Sequence, residues 1–174
     1  AAGRSTAAHS TLTLADTNAV ELEEPGGVGK RRCTVACMRN EEGGNIWLES
    51  AHDGYAPFGV VHGRRLYLSA HGGVKGEDTL SWQGSNRKKG HTFHLRFHLH
   101  PGVQTSLVRD GDAVMLRLPK GGGFRFHAGG ARLSIEESVY LGGGEIRRSE
   151  QIVLAGDLGA DGSVVKWALV PIES

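Results

Sequence analysis

The most strictly alternating run of the chain is HTFHLRFHLHP, residues 91–101. Phe93, Leu95, Phe97 and Leu99 fall on one face and Thr92, His94, Arg96, His98 and His100 on the other, which is the period of a half-buried strand. An apolar face of two Phe and two Leu requires a partner layer, so the run predicts a central strand of a sheet packed over a core. The same period appears in HSTLTL, residues 9–14, where Leu12 and Leu14 are expected in the core. RRCTVACMR and IWLES read as a hairpin joined through RNEEGGN, and VVHGRRLYLSA as a strand with a bulge expected at Gly63. A short strand is expected around residues 79–82. Asp53-Gly54, Asp110-Gly111-Asp112, Gly129-Gly130 and Asp161-Gly162 carry turn chemistry, and the last three are read as hairpin turns. Leu133 to Val139 has the composition of a helix, but its Ser, Ile and Val content favours extended chain. Roughly eleven or twelve short strands result, predicting an all-β fold, an antiparallel two-sheet β-sandwich, with a barrel as the alternative.

A chain of 174 residues suits one domain over 1–174. Its 27 glycines lie between apolar runs and not in a fixed period, so they punctuate turns. EEPGGVGK, residues 23–30, is the expected flexible loop. Twenty basic and nineteen acidic residues leave a formal charge of +1, which gives no argument for nucleic acid. No apolar run has the length of a membrane-spanning helix. Cys33 and Cys37, four apart on an extended segment, share a face about 13 Å apart, beyond disulfide reach, and are expected as buried free thiols.

Candidate chemistry gathers in three places. His98 and His100 lie on one strand face, about 7 Å apart at Cα, a spacing that metal ligands on a strand can use, although zinc requires further ligands from elsewhere. The bland reading is a solvated face interleaved with Arg96; a third reading is contact with an acidic sugar. His52, Asp53 and Tyr55 offer a base, a carboxylate and a phenol within four residues. Hairpin chemistry explains the same residues, and close neighbours on one turn rarely converge on a point. Of Trp47, Trp82 and Trp167, Trp82 stands beside a polar loop with Arg87, Lys88 and Lys89 and is the candidate for stacking on a sugar; the other two read as core. No serine has a nucleophile-elbow context, and Gly121–Gly123 leads into a strand, so neither a hydrolase triad nor a phosphate-cradling loop is expected.

Taken together, RSTAAHSTLTLADT, HDGYAPFGVVHGRRLYLS, FHLHPGVQ and IEESVYLGGGEIRRSEQIVL resemble the C-terminal β-sandwich region of bacterial heparinase II/III-like polysaccharide lyases. The resemblance implies that the chain is the C-terminal part of a longer, bacterial protein, with the periplasm favoured over the cytoplasm. It implies an N-terminal helical toroid carrying the catalytic Tyr and His, and β-elimination beside a uronic acid. On that reading the sandwich supports the substrate cleft and holds no catalytic residue; His52, Tyr55, Trp82, Arg96, His98 and His100 are its candidate substrate contacts. The partners implied are an acidic polysaccharide and the helical domain. Self-association is expected through exposed sheet edges if strands are missing upstream. Where family members bind zinc in the sandwich, only His9 in AAHST has a counterpart here, with Ser10 replacing the usual Asn. A zinc site is therefore expected only with ligands from upstream. A non-catalytic carbohydrate-binding or assembly module is the alternative reading.

Overall fold

The computed structural model describes residues 2–23, 27–29, 33–85, 87, 90–108 and 110–172. Among the described residues fourteen strands form, two more than the upper expectation, and all of their pairings are antiparallel. In chain order they begin with β1 (Leu12–Leu14), β2 (Leu22–Glu23), β3 (Gly27–Val28), β4 (Val35–Glu42) and β5 (Asn45–His52). There follow β6 (Val60–Ser69), β7 (Gly73–Trp82), β8 (Thr92–His98), β9 (Gln104–Leu107) and β10 (Ala113–Arg117). The last are β11 (Gly123–Gly129), β12 (Arg132–Gly142), β13 (Glu145–Asp157) and β14 (Ser163–Ile172). A four-stranded sheet runs β1-β8-β13-β12 and an eight-stranded sheet β4-β5-β6-β7-β14-β11-β10-β9, while β2 and β3 pair by themselves. Among the described residues no helix is long and apolar enough to cross a membrane.

The two large sheets face each other across one core, as the alternation of β8 requires. Phe93 and Leu95 of β8 join Leu12 and Leu14 of β1 and Ile152 and Leu154 of β13 from one sheet; Val60, Leu80, Phe126 and Val165 come from the other. Phe97 of β8 reaches across to Phe126 and Trp167, with ring centroids 5.0 and 4.7 Å away. The expected internal strand is therefore β8, between β1 and β13.

Several local expectations are corrected. Gly129-Gly130 and the turn at Asp161-Gly162 do not close hairpins: each carries the chain from one sheet to the other, β11 to β12 and β13 to β14. Both turns press on backbone, since a Cβ at Gly130 would stand 2.3 Å from the Val164 carbonyl oxygen and one at Gly162 2.4 Å from that of Leu80. Gly63 makes no bulge, because Ala51, Gly63 and Thr79 pair in unbroken register. It is small for another reason: a Cβ there would lie 2.7 Å from Thr79 Oγ1, which donates to the Gly63 carbonyl. Both cysteines are free but not buried: Cys33, before β4, is half-buried, and Cys37 is exposed because the whole of β4 is an exposed edge. Of the expected loop over 23–30, residues 24–26 and 30 lie outside the described residues, as do Lys88 and Lys89.

Candidate functional site

Polar residues occupy the inner face of the eight-stranded sheet at one end. Register places His52 opposite His62, and Arg64 opposite Asp78, on faces turned toward the core. The His52 Nδ1 accepts from the Gly54 amide at 3.2 Å, so its proton sits on Nε2, which donates to His62 Nδ1 at 3.1 Å. His62 Nε2 then donates to Asp78 Oδ1 at 2.7 Å. The same oxygen accepts from Arg64 Nε at 2.8 Å, and Oδ2 accepts from Trp167 Nε1 at 2.9 Å. Arg64 Nη1 continues to the Ser10 carbonyl at 2.8 Å. The carboxylate is buried, and burial pushes its pKa up; the His62 hydrogen bond, the Arg64 charge and the Trp167 donor outweigh this and hold it below the ordinary value. Every ring nitrogen of both histidines has an internal hydrogen-bond partner. The chain of bonds is a tie across β5, β6, β7 and β14, and the proton-transfer reading of His52 gives way to a structural one.

Burial, reinforced by His62 and Arg64 and opposed by Asp53, lowers the His52 pKa from 6.5 to about 4. Below 6.5 the unfolded ring takes up a proton that the folded ring refuses, so stability falls as pH drops from 6.5 toward 4 and this contribution is spent below that. Allowing for solvent at the half-buried ring, its size is about 1–2 kcal/mol. Urea unfolding across this window should show a shallower pH slope in His52→Gln than in wild type; identical slopes would show that His52 contributes nothing.

The remaining candidates do not converge. Tyr55 is wholly buried with its hydroxyl donating to the Leu12 carbonyl at 2.7 Å, so it braces the core. Trp82 packs against the core and donates to the Gly159 carbonyl at 2.9 Å. Arg96 donates to Thr13 Oγ1 at 2.7 Å. His98 spends Nε2 on the Ala7 carbonyl and Nδ1 on Ser138 Oγ, while His100 stacks edgewise on Tyr140 and accepts the Gly102 amide. Together with the bonds that the His98 amide donates to Ser10 Oγ and Arg64 donates to the Ser10 carbonyl, they make the segment 7–14 a strap over both sheets. His9 on that strap is exposed, and among the described residues no three His, Cys, Asp or Glu side chains group to hold a metal. The donors present do not fit a zinc ion, which takes four ligands in a structural site.

Sequence reasoning missed the outer face of the same sheet. Trp47 is 38% exposed and lies beside Tyr67, ring centroids 5.3 Å apart, over a groove of about 620 Å³. The signal was present: in IWLES, Trp47 shares the parity of Glu49, opposite to Ile46 and Leu48.

A family model described as "Heparinase II/III-like, C-terminal" matches residues 1–168. FtsZ-localized protein C of Caulobacter vibrioides is 33% identical over 147 residues, which make up 80% of this chain and 26% of that protein. The heparan sulfate lyase HepC of Pedobacter heparinus superposes with a TM-score of 0.74 at 14% identity over 98% of this chain and 25% of its own. A heparinase III structure does so at 0.70, with 16% identity, over 94% and 23%. The chain thus spans about a quarter of the length of the relatives it matches, and the structural likeness establishes the sandwich fold.

Proposed function

Since the chain belongs to the heparinase II/III-like C-terminal family, we propose that it serves as the sandwich portion of a bacterial polysaccharide lyase. In this role it supports a cleft for an acidic polysaccharide, and β-elimination is carried out by a helical domain of the same protein. The observation that carries the reading is the match over nearly the whole chain, together with the same sandwich in a heparan sulfate lyase four times as long. Elimination beside a uronic acid takes the C5 proton to a base, stabilises the enolate and protonates the leaving glycosidic oxygen. Three of the chain's nine histidines support this division of labour, because His52, His62 and His98 spend both ring nitrogens on internal partners.

The unsaturated uronate left by elimination absorbs in the ultraviolet, which supplies the test. On a panel of uronate polymers, absorbance should rise with the full-length protein and stay flat with residues 1–174 alone. Silence of the full-length protein across the panel would refute the lyase reading. A second reading is favoured by the 33% identity to a protein that localises with FtsZ: the sandwich as an assembly module. Retention of the chain on FtsZ, with silence on every polymer, would establish that reading instead. For self-association, the edge strand β4, with Val35 and Met38 exposed, is one available surface, and the edge strand β12, with Val139 and Leu141 exposed, is another.

A further inference from the structure

We propose that the outer face of the eight-stranded sheet binds an anionic saccharide, with Trp47 and Tyr67 as the stacking platform and Lys75 as the anchor for the carboxylate. The register sorts this face into rows that run across the strands. One row is small: Ala36, Ala51, Gly63 and Thr79 are successive partners from β4 to β7. The next alternates in charge, with Glu49, Arg65, Glu77 and Lys166 paired in turn from β5 to β14. The third is aromatic and then basic: Trp47, Tyr67, Lys75, Ala168 and His127. The groove of about 620 Å³ lies over the second and third rows, within the range of ligand pockets. A neighbouring depression shares Glu49, Arg65 and Glu77 with it and extends over the small row, so the surface is a trough.

Each row has a part in sugar recognition. A tilted Trp–Tyr pair presents an apolar surface to the C–H face of a pyranose. The charged row is already self-paired, Arg65 to Glu49 at 3.2 Å and to Glu77 at 3.6 Å, and Lys166 to Glu77 at 3.7 Å. The planar guanidinium of Arg65 and carboxylates of Glu49 and Glu77, oriented by these pairs, donate to and accept from vicinal hydroxyls in fixed directions. Among the described residues neither Lys75 nor His127 forms an ion pair or a side-chain hydrogen bond, and the small side chain of Ala168, which pairs with both, leaves room for a ligand. Counting Arg65, Lys75 and Lys166 against Glu49 and Glu77, the lining carries a net charge of +1 with His127 neutral, complementary to one carboxylate per sugar unit. A flat neutral ligand would leave Lys75 unused.

This inference rests on the acidic-polysaccharide part of the proposed function, and the test separates the two. The full-length protein and its Trp47→Ala and Lys75→Glu variants are titrated by fluorescence anisotropy with a labelled heparan sulfate oligosaccharide and with a neutral glucan oligosaccharide of equal length. Each substitution should raise Kd for the anionic probe about five- to tenfold. The Lys75→Glu effect should shrink with added salt. The melting temperature should stay at the wild-type value in Lys75→Glu, whose side chain is exposed, and fall only slightly in Trp47→Ala, which loses the contact with Tyr67. Wild-type affinity in both variants overturns the inference, and if elimination product still forms, the lyase reading stands without it. Equal affinity for the neutral probe overturns the anionic part. Binding that depends on Trp47 in a protein forming no product on any uronate polymer supports the inference and sinks the lyase reading.

Discussion

Asp78→Ala should cost about 3–5 kcal/mol of folding stability, the range for stripping one partner from a buried ion pair. The carboxylate is 1% exposed and is the common acceptor of three donors on two other strands: His62 and Arg64 of β6, and Trp167 of β14. Its removal leaves a guanidinium that is itself 17% exposed without its counter-ion, and two inward N–H groups without an acceptor. Asp78→Asn retains the shape and one acceptor oxygen but not the charge, so its cost should be smaller. Chemical denaturation of the three proteins at neutral pH checks the order; a loss below about 1 kcal/mol for the alanine variant would mean that the network is solvated and not buried. The pH dependence has a definite sign. The folded carboxyl titrates below its ordinary value of 3.8, so its contribution is complete above that value and disappears as pH falls through the folded pKa. Acid should therefore weaken wild type further below the window assigned to His52, and that lower step should vanish in Asp78→Ala.

The residues of this network are visible in the sequence, but their association is not. VVHGRR places His62 and Arg64 on the parity of the buried Val60, which breaks the apolar alternation and marks an inner polar position. What they meet depends on register with β5 and β7, and no local pattern carries register between strands that are sixteen residues apart, as His62 and Asp78 are. Strand existence was readable for the opposite reason: the alternation in HTFHLRFHLHP is a local property, and β8 follows it through Phe97. The crossings at Gly129-Gly130 and Asp161-Gly162 were misread as hairpins because a glycine at positive φ serves a tight hairpin and a change of sheet equally well. The tryptophans show the same division. Trp82 beside a polar loop looked accessible, yet its indole is fixed to the Gly159 carbonyl by a contact 77 residues away, whereas Trp47, read as core, is turned outward by simple parity.

Phe126→Ala should be as damaging as the loss of Asp78, about 3–5 kcal/mol, through a cavity and not through charge. Phe126 is 2% exposed and stands between the sheets, stacked on Trp167 at 6.2 Å and tilted against Phe97 of the opposite sheet at 5.0 Å. Phe97 and Trp167 also touch edge to face at 4.7 Å, so the three rings form a closed triangle bridging the sandwich. Phe97 is less deeply buried, and Phe97→Ala should cost less. The double variant should lose less than the sum of the singles, by about 0.5–1.5 kcal/mol, because the same ring contact is removed in both. Trp167 gives the reading a spectroscopic check: its indole is packed against Phe126 on one side and tied to Asp78 on the other, so the cavity should shift its emission and loosen the carboxylate network. Trp47, on the outer face, should be blind to the change, and saccharide binding by a Phe126→Ala protein kept folded at low temperature should match wild type. Unaltered stability in Phe126→Ala would mean that the sheets are held by their edges and the strap over residues 7–14 and not by this triangle.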